Sequence, residues 1–296
     1  MKILYKSTSL EVILFEGENG YRGLGVVSAG NYSQVYRYIY NPELVRIEGH
    51  LRHVLNELAK GLGNSTEEFL VANEIMMKGY FMPGYPGLEI VSNLAKIVAK
   101  GVKLTPSLLD LGRRINRILR SERTFTAHNG GVVKSYDNLY SLSAVISVAA
   151  AIAQLEDCKA IEVRAGAKRE RGPDLVVTSV SGRKKFIEVT ARRPSKEGLE
   201  NLNSPMYMEK FLEEVINIDL ERAVNKAKRQ RSQIEQADCI VVYAWHTAPA
   251  LAFSVYKSEI KSVDELKGLC MYSSWIMSGI PQSVLLQITS HLPGKS

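Results

Sequence analysis

Cysteine is scarce in this sequence, and its spacing argues against two classes of site. The 296 residues contain three cysteines, Cys158, Cys239 and Cys270, and no two of them form a Cys-x-x-Cys pair. An odd number of widely separated cysteines is typical neither of a disulfide framework nor of a structural zinc site. We therefore expect a protein of a reducing compartment.

Long hydrophobic runs are also missing. The longest apolar-rich stretch lies within residues 141–155, which is shorter than the roughly 20 residues that a membrane-spanning helix needs. Residues 1–17 alternate apolar and polar side chains and lack the continuous apolar core of a signal peptide. We expect a soluble, cytoplasmic protein that does not bind membranes.

The overall composition is that of an ordinary globular protein. Hydrophobic residues make up 45% and charged residues 23% of the chain, which excludes a disordered or collagen-like chain. A chain of this length has room for about two domains, each able to bury its own core. Residues 121–136 are rich in glycine and polar side chains, so we predict a boundary there and domains at 1–125 and 126–296.

The excess positive charge is confined to one window. Residues 159–196 contain eleven basic and four acidic side chains, and their net charge of +7 equals the formal net charge of the whole chain. Clustered Lys and Arg supply most of the non-specific affinity for nucleic acid, because they neutralise phosphates. This distribution favours a local nucleic-acid-binding patch. The alternative is that these charges lie at turns and are simply solvated.

The first domain is predicted to be α+β and to bind substrate or a partner. Alternating apolar residues predict strands within 1–45. The glycine-rich segment 17–25 is predicted to be a hairpin turn, because it lacks the Lys-Ser/Thr ending of a phosphate-binding loop. Helices are predicted at 44–62, 66–78, 88–100 and 106–120. We interpret the four arginines between 113 and 120 as a solvated helix face, with DNA contact as the alternative.

The second domain is predicted to be α/β, with a mixed sheet flanked by helices. Its predicted elements are, in order, a helix at 139–156, strands at 160–165, 174–180 and 185–191, a helix at 219–236, a strand at 239–245, and one or two short helices within 263–293. Ser181-Gly182 is predicted to be the turn between the second and third strands.

Two carboxylates of this domain are expected to face each other. Asp174 opens one strand and Glu188 lies in the middle of its hairpin partner, so the turn places them about opposite each other, roughly 5 Å apart. Facing carboxylates repel each other unless a positive group lies between them. A Mg²⁺ ion, which takes one or two carboxylates and keeps several waters, meets that need. The alternative is that Asp174 is an ordinary strand start and that Glu188 pairs with an arginine at 183, 192 or 193.

Pro173-Asp174 followed by Glu188-Val189-Thr190, in a helix–β–β–β–helix–β order, resembles the PD-(D/E)xK nuclease superfamily. The resemblance covers roughly residues 139–245 and does not extend to the first domain. It implies a restriction-endonuclease-like fold for the second domain.

The resemblance also implies roles for particular residues. Asp174, Glu188 and the backbone carbonyl of Val189 are expected to hold a Mg²⁺ or Mn²⁺ ion. An auxiliary acid is expected from the preceding helix, for which Glu156 at the helix end is the best match. Glu162, on the following strand, is a second possibility. Such an ion lowers the pKa of a bound water and stabilises the leaving group of a phosphodiester.

The sequence departs from the family pattern at Thr190, where the family usually carries a lysine that orients the attacking water. A threonine cannot supply that positive charge. We expect Arg192 or Lys226 to supply it, with Lys184 as a further candidate. The implied catalytic residues are therefore Asp174, Glu188, Thr190, Arg192 and Lys226.

The side chains expected to contact nucleic acid lie on two basic loops that flank the acids and on one face of the helix at 219–236. They are Lys168, Arg169, Arg171, Arg183, Lys184, Lys185, Arg222, Arg229 and Gln230.

These observations predict a Mg²⁺- or Mn²⁺-dependent endonuclease that hydrolyses nucleic-acid phosphodiester bonds, with DNA favoured over RNA. A homodimer is an expected form, because many nucleases of this fold pair up to cut two strands. Since Thr190 replaces the usual lysine, the alternative is a catalytically degenerate protein of the same fold that binds nucleic acid or is a structural component of a nucleoprotein complex.

Overall fold

The chain is a mixed α/β protein, as the sequence predicts. The computed structural model describes residues 1–16, 22–40, 42–72, 85–126, 132–134, 136–166, 172–192, 237–244, 256–277 and 280–288. The described residues form two compact units. The first contains those of Met1–Met76, Phe81–Ala150 and Ala165–Arg169, and the second contains those of Ala151–Arg164 and Glu170–Ser296. The division into independent domains at 125/126 stays a prediction.

The first unit begins with an antiparallel sheet whose strands follow chain order. They are β1 (Lys2–Lys6), β2 (Leu10–Glu16), β3 (Arg22–Ser28) and β4 (Asn31–Tyr40). Val12, Leu24 and Val26 are fully buried, which is what the apolar alternation of these strands requires. The strands predicted within 1–45 are therefore confirmed.

Helices and short strands follow in the chain. They are a 3-10 helix (Pro42–Ile47), α1 (Glu48–Leu62), a 3-10 turn (Gly63–Ser65), α2 (Thr66–Val71), α3 (Pro86–Ala99), β5 (Lys103–Thr105), α4 (Leu108–Ser121), β6 (Thr124–Thr126), β7 (Val132–Lys134) and α5 (Asp137–Ala153). Ser107 caps α4, because its Oγ accepts a hydrogen bond from the backbone N–H of Asp110. Strands β6 and β7 pair with each other and lie within the predicted boundary segment.

Two helices of the first unit cross closely where glycine faces glycine. A Cβ atom on Gly112 of α4 would lie 2.5 Å from the carbonyl oxygen of Leu58 and 3.1 Å from the Cα of Gly61 in α1. Only residues without a Cβ allow the two backbones to approach this closely. The buried apolar side chains of α4 pack on the same side of the helix.

The second unit contains a mixed sheet. Its strands are β8 (Cys158–Val163), β9 (Leu175–Ser179), β10 (Lys184–Arg192), β11 (Cys239–Ala244), β12 (Tyr256–Glu259), β13 (Gly268–Met277) and β14 (Ile280–Ile288). They lie side by side in the order β12-β14-β13-β11-β10-β9-β8. Strands β10, β11 and β13 run parallel to one another, and the other neighbours are antiparallel. The predicted mixed sheet and its first three strands are therefore confirmed.

The helices predicted within 263–293 are wrong. Apart from a 3-10 turn at Val263–Glu265, the described residues of this segment form the antiparallel pair β13 and β14. Strand β13 is held in place by β11, which lies about 30 residues earlier in the chain. A pairing partner that is distant in sequence overrides local periodicity, and only the fold reveals it.

One face of this sheet is an apolar core. Ile161, Leu175, Val177, Ile187 and Val241 occupy alternate positions on four adjacent strands, and each is at most 1% exposed. Because side chains alternate between the two faces of a strand, the residues between them point to the opposite face.

Several predicted features lie outside the described residues. These are the helix at 219–236 with Arg222, Lys226, Arg229 and Gln230, and the basic loop with Lys168, Arg169 and Arg171. Within the part of the chain that is described, none of the helices has the length and apolar character required to traverse a bilayer.

Candidate functional site

A three-residue turn sets the register of the β9–β10 hairpin. Gly182 adopts a left-handed backbone conformation (φ 83°), which glycine tolerates best. The N–H of Ser179 donates to the carbonyl of Arg183, and the N–H of Gly182 donates to the carbonyl of Ser179, both at 2.9 Å. The paired residues then run from Lys184 opposite Thr178 to Ile187 opposite Leu175.

The hairpin register bears directly on the two predicted acids. The paired residues end at Ile187 and Leu175, and continuing the same alternation by one residue sets Glu188 opposite Asp174. The N–H of Val189 donates to Oδ2 of Asp174 at 3.0 Å. Residues directly opposite each other in an antiparallel pair share one face of the sheet. The register and this hydrogen bond agree with the predicted juxtaposition of Asp174 and Glu188, which stays a prediction.

Asp174 is partly buried, and burial perturbs the ionisation of its carboxyl. Burial raises the pKa of its carboxyl above the ordinary value, and the hydrogen bond from Val189 opposes this shift only in part. The backbone carbonyl of Asp174 accepts a hydrogen bond of 2.8 Å from the N–H of Arg164, which continues the pairing beyond the end of β8. A carboxyl with a raised pKa gains more from a nearby cation than a solvated one does.

A third acid and an arginine lie on the same face. Glu162 of β8 is opposite Val176 of β9, which is two residues from Asp174, so Glu162 shares the face of the two acids. The guanidinium of Arg164 donates to both carboxylate oxygens of Glu162, from Nε at 2.8 Å and from Nη2 at 3.2 Å. A fork of two hydrogen bonds fixes both side chains.

Arg164 was not among the residues predicted from the sequence. The signal that could have found it is its position two residues after Glu162, at the end of a strand, where it shares the face of that acid. Arg164 is a basic side chain at the end of the sheet where Asp174 lies.

Glu156, the best sequence match for the auxiliary acid, lies at the wrong end of the sheet. Cys158 is opposite Ser179, whereas Val163 is opposite Leu175, so Glu156 precedes the end of the hairpin that is remote from Asp174. Five residues of strand separate these ends by about 16 Å. The helix stops at Ala153, and the sequence does not reveal where the strand begins relative to β9. Glu162 is the acid that shares the face of Asp174.

The basic turn at 183–185 lies at the same remote end, contrary to the prediction that it flanks the acids. Lys184 is opposite Thr178, four residues from Asp174. Arg183 is 68% exposed and forms an ion pair of 3.0 Å with Asp264. Lys184 is therefore too distant to serve as the positive group beside the acids, while contact of this turn with nucleic acid stays a prediction.

Thr190 and Arg192 continue the strand beyond Glu188. Thr190 is opposite Val242 of β11, and its side chain is buried, at 2% exposure. The backbone of Arg192 is opposite Ala244, at a position that shares the face of Glu188. Lys226 lies outside the described residues.

The described donors suit a hard cation with few protein ligands. Two carboxylates, from Asp174 and Glu188, and the backbone carbonyl of Val189 are oxygen donors on adjacent strands. Mg²⁺ takes one or two carboxylates and completes its shell with water. No cluster of three or more His, Cys, Asp and Glu side chains able to hold a metal exists among the described residues, so neither Glu156 nor Glu162 joins the two acids in such a cluster.

Comparison with known proteins returned no match: no family model, no curated protein and no solved structure resembles the chain significantly.

Proposed function

We propose that this protein is a Mg²⁺- or Mn²⁺-dependent endonuclease, with a restriction-endonuclease-like domain that runs from α5 to β11. The observation that carries the proposal is the hydrogen bond from the N–H of Val189 to the carboxylate of Asp174, which holds Asp174 beside the strand position that follows Glu188. The order of the described elements also supports it, since α5 precedes the antiparallel strands β8, β9 and β10, and β11 runs parallel to β10.

Each acid has a distinct task in this proposal. Asp174, Glu188 and the carbonyl of Val189 would hold the ion, which lowers the pKa of a bound water and neutralises charge on the scissile phosphate. Burial disfavours the ionised form of Asp174, so a cation at this point recovers energy that the folded chain otherwise loses. Glu162 holds Arg164 in a fixed orientation.

The proposal needs a positive group in place of the lysine that Thr190 replaces. Arg164 is a described candidate, because its backbone pairs with Asp174 and its guanidinium is held on the face of the acids. A rigid guanidinium matches the geometry of a phosphate. Arg192 and Lys226 stay as the candidates that the sequence indicates.

Nucleic acid is the proposed substrate because of the basic residues in the sequence between Arg164 and Asp174. The chain from Arg164 to Asp174 contains Lys168, Arg169 and Arg171, so three further basic residues lie within the connection that leads into the acids. A positive field draws in a polyanion before the acids place the ion against it.

A specific observation favours a second candidate function. Thr190 is buried and carries no charge, which fits a catalytically degenerate protein of the same fold that binds nucleic acid or belongs to a nucleoprotein complex. The two candidates differ in whether the acids are needed for cleavage or only for the fold.

The deciding experiment measures cleavage of mixed DNA and RNA substrates in Mg²⁺, Mn²⁺ or EDTA. Wild type is compared with Asp174→Asn and Glu188→Gln, and Glu156→Gln is the matched control, because it removes an exposed carboxylate at the remote end of the same sheet. Metal-dependent cleavage that only the first two variants abolish supports the nuclease. Salt-sensitive binding that survives in all variants, without cleavage in any, supports the degenerate binding protein.

A further inference from the structure

One face of α4 is a row of exposed arginines. Arg113, Arg117 and Arg120 lie within an arc of about 60° on the helix, at roughly 100° per residue, and Arg123 follows just beyond its end. All four side chains are exposed. The opposite face is buried in the first unit through Leu111, Ile115, Ile118 and Leu119. We call these four residues the arginine row.

Most of the row lacks a counter-charge among the described residues. Arg113 pairs with Asp110 at 2.8 Å, but Arg117, Arg120 and Arg123 form no ion pair within the described part of the chain. The one acid between 111 and 123 is Glu122, which is 7% exposed and accepts hydrogen bonds from the start of α5.

The composition of the row is unusual for a merely solvated helix face. Residues 113–123 contain five arginines and no lysine, whereas a solvated helix face typically intersperses Glu and Lys at helical spacing. The fifth arginine, Arg114, is not part of the row. Its guanidinium donates to the carbonyl oxygen of Ala165 at 2.9 Å. It thereby fixes the chain immediately before the basic sequence at 168–171.

We infer that the arginine row is a docking surface for the phosphate backbone of nucleic acid. Guanidinium groups bind phosphate through two parallel hydrogen bonds and keep their charge at any physiological pH. The row runs about 10 Å along the helix axis from Arg113 to Arg120, and a DNA duplex carries about six phosphate charges over that length.

Other polyanionic partners fit this face less well. A helix that binds a membrane surface exposes apolar side chains beside its charges, but the apolar side chains of α4 are buried. Protein interfaces use aromatic and large apolar side chains as anchors, and none of the described large hydrophobic residues with high exposure lies on α4. The row offers charge alone, which is what a phosphate backbone requires.

The inference rests on the proposed function, because it supplies substrate affinity to the same protein. Its test is nevertheless separate, since binding is read in EDTA and in the Asp174→Asn background, where no cleavage is expected. The full chain is titrated against a short fluorescein-labelled DNA duplex and against RNA of the same sequence, at salt concentrations between about 50 and 200 mM.

The test variant replaces Arg117, Arg120 and Arg123 by glutamine, and the control replaces Lys2, Arg46 and Lys100, which are also exposed in the first unit. Both variants lose the same formal charge. The row variant is expected to bind at least about tenfold more weakly, with a salt slope smaller by about 2 to 3. The control is expected to stay within about twofold, since its charges are dispersed and only weakly attract the ligand.

Equal effects of the two triple variants, or no effect of either, would overturn the inference. So would unchanged nucleic-acid binding by the row variant together with lost binding to phosphatidylserine vesicles, which would assign the row to a membrane. Arg120→Glu is the second variant, because a single exposed reversal leaves the fold intact and should weaken duplex binding by more than Arg120→Gln. If Asp174→Asn loses cleavage while substitution of the arginine row still weakens nucleic-acid binding in that background, the row and the acids act separately. That result would distinguish the two proposals.

Discussion

Val189 donates its backbone N–H to the carboxylate of Asp174 at 3.0 Å, from the strand that carries Glu188. The hydrogen bond joins the first acid of the candidate site to the backbone between the second acid and Thr190. Because the donor is a backbone N–H, every substitution of Val189 except proline keeps that donor. The geometry of the two acids therefore depends on the register of β10.

The first prediction concerns the pH dependence of stability at Asp174. Burial raises the pKa of this carboxyl in the folded state, so the folded chain keeps the proton at a pH where the unfolded chain has lost it. This contribution to stability is complete below the unfolded pKa, about 4, and is lost as pH rises through the raised pKa. Asp174→Asn should therefore gain stability relative to wild type as pH rises from about 4 to 7.

Urea denaturation across that pH range measures the difference. Glu156→Gln, at an exposed site near the remote end of the same sheet, is the control variant. A difference in the free energy of unfolding between wild type and Asp174→Asn that does not change with pH would contradict the raised pKa of Asp174.

The second prediction concerns metal binding in the absence of substrate. An ion held by the folded site and not by the unfolded chain should raise the melting temperature, by an amount equivalent to about 2.7 kcal/mol at a metal concentration of 100 Kd. Mn²⁺ should stabilise wild type and Glu156→Gln equally, and Asp174→Asn or Glu188→Gln much less. Equal stabilisation of all four proteins would place the metal elsewhere.

The third prediction concerns Arg164 as a replacement for the missing lysine. Arg164→Gln should lower cleavage by at least about tenfold, because stabilisation of developing charge by one fixed group is worth this much or more. Arg183→Gln is the control, since Arg183 is also an arginine paired with a carboxylate, at the remote end of the hairpin. The loss of activity in Arg164→Gln should appear in kcat rather than in KM. Equal effects of the two substitutions would exclude a specific role of Arg164 at the site.

The fourth prediction concerns the glycine crossing of α1 and α4. Gly112→Ala places a Cβ 2.5 Å from the carbonyl oxygen of Leu58, and the helices must separate. We expect a loss of about 1–3 kcal/mol in the free energy of unfolding. Gly49→Ala in α1 meets nothing within 4 Å and should be neutral or stabilising by up to about 1 kcal/mol. Chemical denaturation distinguishes them.

The fifth prediction concerns the buried Glu122. Its carboxylate accepts hydrogen bonds from the N–H of Leu139 at 2.8 Å and from the amide of Asn138 at 3.0 Å, near the start of α5. Glu122→Ala leaves these donors without a partner and should cost about 1–2 kcal/mol. Burial raises the pKa of this carboxyl, because the charged form is disfavoured there. Glu122→Gln removes that charge and keeps an acceptor, so it should lower the free energy of unfolding at neutral pH clearly less than Glu122→Ala does.

The hairpin of the candidate site could be predicted because its determinants are local. A turn at Ser181-Gly182 between two alternating strands fixes which residues face each other. The observed register, from Lys184 with Thr178 to Ile187 with Leu175, is the one that counting from this turn gives. The predicted helices 88–100 and 106–120 also agree with α3 and α4, since apolar periodicity and start signals are local too.

What could not be predicted depends on contacts between distant parts of the chain. The placement of Glu156 depends on where β8 begins against β9, and one bulge separates Cys158 from Ala160 in that register. The pair β13 and β14 forms beside β11. The hydrophobic periodicity within 263–293 contains no information about that neighbouring strand. Arg117, Arg120 and Arg123 form no ion pair among the described residues, and this too is visible only once the acids of the described structure have been placed.

The three-residue turn of the β9–β10 hairpin has a consequence for insertions and deletions. Adding one residue to β10 between Gly182 and Glu188 would turn Glu188 toward the apolar core face and bring Ile187 or Val189 to the face of Asp174, because side chains alternate with a period of two. Adding two residues would keep the face but move Glu188 along the strand by about 7 Å. Changes of chain length in this turn should therefore disrupt the proposed site far more than substitutions of the exposed turn residues, because the site depends on the number of residues between the two acids.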